Sequence, residues 1–283
     1  MGAATTAAAN KKPRKQPEQL RPKKSIRKTK TKDKKKKSSN NKIKNNEKKN
    51  ENAVTARESN VVQWATASQQ LSFFIDQYQS ANRVQLSSLE LDSLKETCMV
   101  ELCQGPAKNI TGNLDECVKI AFGSSWKEVL CGKHLQEGQV DAGNPTLLVI
   151  SSSALRSLEL LRELRSLTKE CPAAKLFSKH MKIEEQVSIL KNRVNIASGT
   201  PSRIKKLIDM EALGLSRLAV IVLDMHMDVK GYSLLTLPQV REEFWDLYRS
   251  YFHQSLLKGD LRLCLYGPIP TNSEVKKRKP NDA

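Results

Sequence analysis

The stretch Pro145-Thr146-Leu147-Leu148-Val149-Ile150-Ser151-Ser152-Ser153 decides the architecture. A short apolar run without polar alternation, bounded by a proline and a serine cluster, reads as a strand buried on both faces. Strands of that kind belong to parallel sheets, whose crossovers lay helices over both faces. The next residues agree. Leu155, Leu158, Leu161 and Leu164 recur at helical spacing and predict a helix with those four on its buried face.

Downstream the pattern repeats. Strands are predicted at Ala174 to Phe177, Arg193 to Ala197, Leu218 to Leu223 and Leu261 to Tyr266. Helices are predicted at Ile183 to Leu190, from Pro201 through Ile208, and over Pro238 to Leu257. Gly199-Thr200-Pro201-Ser202 is a tight turn opening the second of these, since proline is accepted in a first helical turn. Strands alternating with helices give an α/β fold with a largely parallel sheet and right-handed crossovers. Ligand-facing groups then lie at the carboxyl ends of strands, at residues 151–153, 178–180, 198–200, 224–228 and Gly267.

Upstream, Trp64, Leu71, Phe74, Ile75 and Tyr78 predict an amphipathic helix. Residues 84–140 read as mostly helical, punctuated by Gly105-Pro106 and Gly112-Asn113. The aromatic residues here, Trp126 included, read as core rather than as a base-stacking platform. Residues 59–144 are expected to pack on the sheet, which needs both faces covered and has few crossovers of its own.

Charge divides the chain differently. Residues 1–58 carry 20 Lys/Arg against 5 Asp/Glu, whereas residues 59–270 carry 24 against 23. Between Lys11 and Asn52 only Leu20, Ile26 and Ile43 are large and apolar, too little to offset the entropy of ordering, so a disordered arm is expected. The predicted order is a basic arm (1–58), a helical segment (59–144), an α/β domain (145–270) and a basic tail (271–283). A basic arm on a neutral body is the asymmetry of a polyanion binder, and lysine–phosphate contacts give salt-sensitive, sequence-blind attraction to RNA. Lys11, Lys12, Arg14 and Lys15, then Lys34, Lys35, Lys36 and Lys37, then Lys276, Lys277, Arg278 and Lys279 are nuclear-import candidates. Met1-Gly2 with Thr6 also fits a loose myristoylation pattern; an acyl chain beside a polybasic segment is the membrane alternative to import and RNA attraction. No run of about 18 apolar residues marks a membrane-spanning helix, and no apolar leader segment precedes the arm. The six cysteines (Cys98, Cys103, Cys117, Cys131, Cys171 and Cys264) lack paired spacing, so free thiols are expected and no metal site.

Several segments resemble the first lobe of a DEAD-box RNA helicase, a RecA-like (P-loop-NTPase-type) domain. Leu147 to Leu164 is similar to the motif Ia region, with Arg156 in its turn. Thr200-Pro201-Ser202-Arg203 keeps three of the four residues of the Thr-Pro-Gly-Arg motif, and Ile221-Val222-Leu223-Asp224 resembles the strand entering the Asp-Glu-Ala-Asp box. The departures fall on the ATP chemistry. No G-x-x-x-x-G-K-[ST] loop occurs, Met225 and Met227 stand at the second and fourth positions of the box, and Tyr266-Gly267-Pro268 stands where Ser-Ala-Thr would follow. A lone Asp224 does not replace both magnesium positioning and base chemistry. The residues after 270 are too few for a second lobe. On Leu176 to Lys182, Glu185-Gln186-Val187, Gly199 to Lys205 and Leu223-Asp224, the chain is identified as similar to the Cms-one-type small-subunit biogenesis proteins, degenerate single-lobe relatives of DEAD-box helicases. That resemblance implies no enzyme and no cofactor, pre-ribosomal RNA and pre-ribosomal proteins as partners, and a nucleolar place in rRNA processing.

The retained motifs are those that contact RNA backbone in the helicases. Arg156, Lys179, Lys182, Thr200 and Arg203 are therefore the RNA-binding candidates, and Asp224 is the vestigial box position. Thr200 and Pro201 are equally explained as a good helix start, with Arg203 on a solvated face. His180 alone is a weak signal, and His226 between two methionines reads as packed or partly exposed rather than as a ligand. Two rivals stay open: an RNA-dependent ATPase with a nonstandard site, and a protein-docking module in which only the arm meets RNA.

Overall fold

A computed structural model describes residues 64–101, 113–132 and 142–269. The basic arm, the tail, Gly2 and every import candidate lie outside the described residues. Within them, the run at Leu147 behaves as expected. Strand β1 (Leu147–Ile150) is buried at every position and occupies the middle of a five-stranded sheet. Fully burying side chains of this kind contributes roughly 1.5–3 kcal/mol each. The other strands are β2 (Ala174–Leu176), β3 (Ile196–Gly199), β4 (Val220–Asp224) and β5 (Arg262–Tyr266). Their spatial order is β2-β3-β1-β4-β5 and every pairing is parallel.

The helices are α1 (Ala67–Asn82), α2 (Ser88–Ser93), α3 (Leu114–Phe122), α4 (Ala154–Glu163), α5 (Ile183–Leu190), α6 (Pro201–Asp209), α7 (Pro238–Leu247) and α8 (His253–Lys258). Strand pleating sorts the core into two layers. Leu148, Ile150, Ile221, Leu223, Leu263 and Leu265 meet α1, α6, α7 and α8 on one face; Leu147, Val149, Val220, Val222 and Cys264 meet α3 and α4 on the other. Helix α1 shares the first core directly: Phe74 lies edge-on to Tyr248 at 5.2 Å between centroids, and Tyr78 to Trp245 at 5.5 Å.

Three expectations need correction. The third strand begins at Ile196 rather than Arg193 and runs on to Gly199. Asn195 is withdrawn from the ladder because its carbonyl takes the N–H groups of both Thr146 and Leu147, while its buried side chain donates to the Leu130 carbonyl at 3.0 Å. Within residues 84–140 the described part is mostly helical, as predicted, but in short pieces: α2, α3 and 3₁₀ and π turns, with no side chain buried by α2. On α4 the buried stripe is Ser157, Leu160 and Leu164, whereas Leu155 is 60% exposed and Leu158 and Leu161 are half-buried. Local hydrogen bonds set that phase. Ser153 caps the helix by accepting from the Arg156 N–H, and the Ser157 hydroxyl lies 2.7 Å from that of buried Ser151. The helix predicted over Pro238 to Leu257 is α7 and α8 joined through a π turn, Tyr248–Phe252.

Candidate functional site

Two clusters of polar side chains form where the strands end. The first gathers around Asp224, the last residue of β4, which is 1% exposed. Arg156, in the first turn of α4, reaches it with two bonds: Nε to Oδ2 at 2.9 Å and Nη2 to Oδ1 at 3.1 Å. The third guanidinium nitrogen donates to Glu159 Oε2 at 3.2 Å. Burial alone pulls the Arg156 pKa down, but the bonds to Asp224 and its charge outweigh that and raise it above the ordinary arginine value. His226 closes the other side, with Nδ1 2.8 Å from Asp224 Oδ1. Gly267 makes room for the imidazole: at φ +123°, a Cβ there would lie 2.9 Å from His226 Nδ1.

A second carboxylate is used in the same neighbourhood. Glu163 Oε2 accepts from the Tyr266 hydroxyl at 2.7 Å and from the Leu114 N–H at 3.1 Å. Burial first, then the bond to Glu163, pushes the Tyr266 phenol above the usual tyrosine range. The Tyr266 ring stacks on Trp64 at 5.8 Å and faces His226 at 5.0 Å. The position of Leu114 matters because it opens α3. Before α3, Met99 bridges Leu263 in parallel and the Val100 N–H donates to the Leu263 carbonyl, so this segment runs alongside β5. Gln70 fastens the arrangement, donating to the Val100 carbonyl and accepting from the Leu265 N–H. A helix N-terminus behind a parallel strand is a ready phosphate site. Here the chain's own Glu163 carboxylate takes the first N–H.

The other cluster lies at the ends of β2 and β3. Gln186, 1% exposed, donates to the carbonyls of Lys175 and Phe177, each at 2.8 Å, and accepts from Arg203 Nη1 at 2.9 Å. The Thr200 N–H donates to the Leu176 carbonyl. Thr200 stands at the N-cap of α6, but its side chain makes no capping bond. Lys179 and Lys182 are exposed, and between them His180 holds a left-handed turn at φ +59°. This end of the sheet therefore presents lysines, a threonine hydroxyl and an arginine oriented by Gln186.

Thus Lys179, Lys182, Thr200 and Arg203 fall around two adjacent strand ends. Arg156 does not join them. Its fork is held by Asp224, His226 and Glu159 instead. His226 is partly exposed, with Met225 buried before it and Met227 exposed after it. Sequence reasoning passed over Glu163, Gln70 and Gln186. Gln186 sat in the quoted block Glu185-Gln186-Val187 and Glu163 within Leu147 to Leu164, but neither was given a role. Among the described residues no group of three His, Cys, Asp or Glu could hold a metal. The described cysteines are free; burial, helped by the Glu116 charge, pushes the Cys117 thiol up to about 12.

The family profile "CMS1: U3-containing 90S pre-ribosomal complex subunit" matches residues 15–266. The chain belongs to the CMS1 family. It is similar to Protein CMSS1 of Xenopus laevis, 32% identical over 186 residues that cover 64% of this chain and 62% of that protein. Protein CMSS1 of Homo sapiens is 31% identical over 191 residues, covering 66% and 60%. Protein CMS1 of Chaetomium thermophilum is 43% identical over 99 residues, covering 34% and 39%. The chain thus spans 62% and 60% of the two vertebrate CMSS1 proteins named first. Solved structures to which the chain is similar include the yeast DEAD-box splicing factor Prp28, with 13% identity, a TM-score of 0.39 and coverage of 61% of this chain and 36% of that one. A DEAD box protein from Methanococcus jannaschii gives 19% identity, a TM-score of 0.30 and coverage of 49% and 36%.

Proposed function

We propose that this CMS1-family chain is a non-catalytic, nucleolar factor of the early small-subunit pre-ribosome, acting in rRNA processing by binding rather than by turnover. Membership of a family described as a U3-containing 90S pre-ribosomal complex subunit supports the assembly. The observation that carries the non-catalytic half is the closure around Asp224. A carboxylate that positions magnesium must keep its oxygens open toward the ion or its waters. Both Asp224 oxygens are held by Arg156, and one also by His226. Glu163 at the start of α3 supports the same reading, because an incoming phosphate would meet a negative charge there.

RNA attraction is assigned to the Lys-rich arm and to the β2–β3 end. Lys179, Lys182, Thr200 and Arg203 offer charge, a hydroxyl and a planar fork to phosphate oxygens. Phosphate release from the purified full chain, with and without RNA, tests the first half. The expected result is a rate indistinguishable from that of Asp224→Ala. RNA-stimulated release abolished by Asp224→Ala would overturn the reading in favour of an ATPase. Residue-level RNA crosslinking tests the second half: crosslinks confined to residues 1–58 would leave the domain without an RNA role.

A further inference from the structure

Helix α4 and the 3₁₀ turn that follows it, Leu164–Ser166, carry three different stripes. Ser157, Leu160 and Leu164 face the core, while Arg156, Glu159 and Glu163 face the strand-end cluster. The third stripe, Leu158, Leu161, Arg162 and Arg165, turns toward the sheet edge and is absorbed by neither. It forms one wall of a groove of about 430 Å³ whose other wall includes Pro172, Ala173 and Lys175, at and just before β2.

The chemistry of this groove is specific. Its floor is aliphatic: Leu158, Leu161, Pro172 and Ala173. Its rim is cationic, because Arg162, Arg165 and Lys175 are all exposed and form no ion pair among the described residues. The nearest acids on the helix, Glu159 and Glu163, are turned the other way and occupied at the strand ends. No aromatic residue lines the groove, so a base would find nothing to stack on. Strand addition at the free edge of β2 is also opposed, since the Gln186 amide already holds the outward carbonyls of Lys175 and Phe177. The occupant therefore docks through its side chains.

We propose that the groove between α4 and β2 is a docking site for a short acidic segment of a partner protein, with leucine-type side chains seated on the floor and carboxylates on Arg162, Arg165 and Lys175. Complementary charge selects the partner and steers its approach, and burial of aliphatic surface supplies the affinity. The groove is separate from the strand ends, so its failure leaves the RNA reading there untouched.

The test is selection of a displayed library of random short peptides on the full chain, with counter-selection on the triple variant Arg162→Glu/Arg165→Glu/Lys175→Glu. Because both proteins carry the basic arm, peptides held by the arm alone are removed. Survivors are expected to combine Asp/Glu with Leu, Ile or Val, and to bind the wild-type chain at least about tenfold more tightly than the variant. Leu158→Ser should weaken the same peptides while leaving the circular dichroism of the chain unchanged. The proposal is overturned if no peptide survives counter-selection, or if the survivors lack the acidic and aliphatic pattern. It is equally overturned if oligo(U) RNA, rather than peptide, loses about tenfold in affinity on the triple charge reversal.

Discussion

Asp224 keeps almost none of its surface in water, so its charge depends on Arg156 and His226 for compensation. Arg156 is less dependent on Asp224, because a quarter of its side chain is exposed and Glu159 is a second partner. Removing either partner of a buried pair strands the other, and the deeper charge suffers more. Arg156→Ala should therefore cost about 3–5 kcal/mol, and Asp224→Ala about 1–3 kcal/mol. Urea denaturation followed by tryptophan fluorescence measures both. The reverse order would mean that His226 alone satisfies Asp224. Asp224 was legible in the sequence as a polar residue ending an apolar run. Arg156 was noticed as well, but nothing local says whether a first-turn arginine points out to phosphate or in to a carboxylate on another strand. Glu163 was invisible, because its partners lie 49 and 103 residues away and its neighbours on α4 are ordinary helix surface.

At the level of elements, β2 is a three-residue edge strand, short for a unit that must hold Lys179 and Lys182 in place. Gln186 compensates. Its amide satisfies two carbonyls that would otherwise form an open edge, and its oxygen orients Arg203 on α6. Gln186→Ala is expected to cost about 2–3 kcal/mol by leaving buried groups unpaired. Faster hydrogen exchange should be confined to β2 and the start of α6, as measured by mass spectrometry. Gln186→Glu separates the contributions: it keeps the acceptor for Arg203 but cannot donate to the strand. If it is as stable as the wild-type chain, the carbonyl bonds are not what holds the edge. Helix α5 itself was readable from its apolar spacing, and its range matches the sequence prediction. The inward turn of Gln186 was not, since it follows Glu184 and Glu185 and reads as a solvated face. Gly199 gave a similar half-signal. The sequence marks it as a turn residue, while the structure shows a close approach in which a Cβ would lie 2.0 Å from the Leu176 carbonyl oxygen.

For the whole molecule, the decisive quantity is how charge is divided. Residues 1–58 hold 20 basic against 5 acidic residues, and residues 59–270 hold 24 against 23. The α/β body was legible because unbroken apolar runs such as Leu147–Ile150 alternate with stretches of helical spacing, but the charge division is visible only when the chain is summed by segment. It sets how binding responds to salt. Each phosphate neutralised releases condensed counterions, giving a slope of log K against log salt of about −0.7 per contact on single-stranded RNA. The full chain on a single-stranded RNA should therefore show a steep slope. A chain lacking residues 1–58 keeps Lys179, Lys182 and Arg203 as its named contacts, so its slope should be shallow, on the order of −2. Fluorescence anisotropy between low and physiological salt measures both slopes. If deletion leaves the slope unchanged, attraction resides in the folded body and the arm serves another purpose. If deletion abolishes binding at every salt concentration, the β2–β3 end has no RNA affinity of its own, and the folded domain works through protein contacts alone.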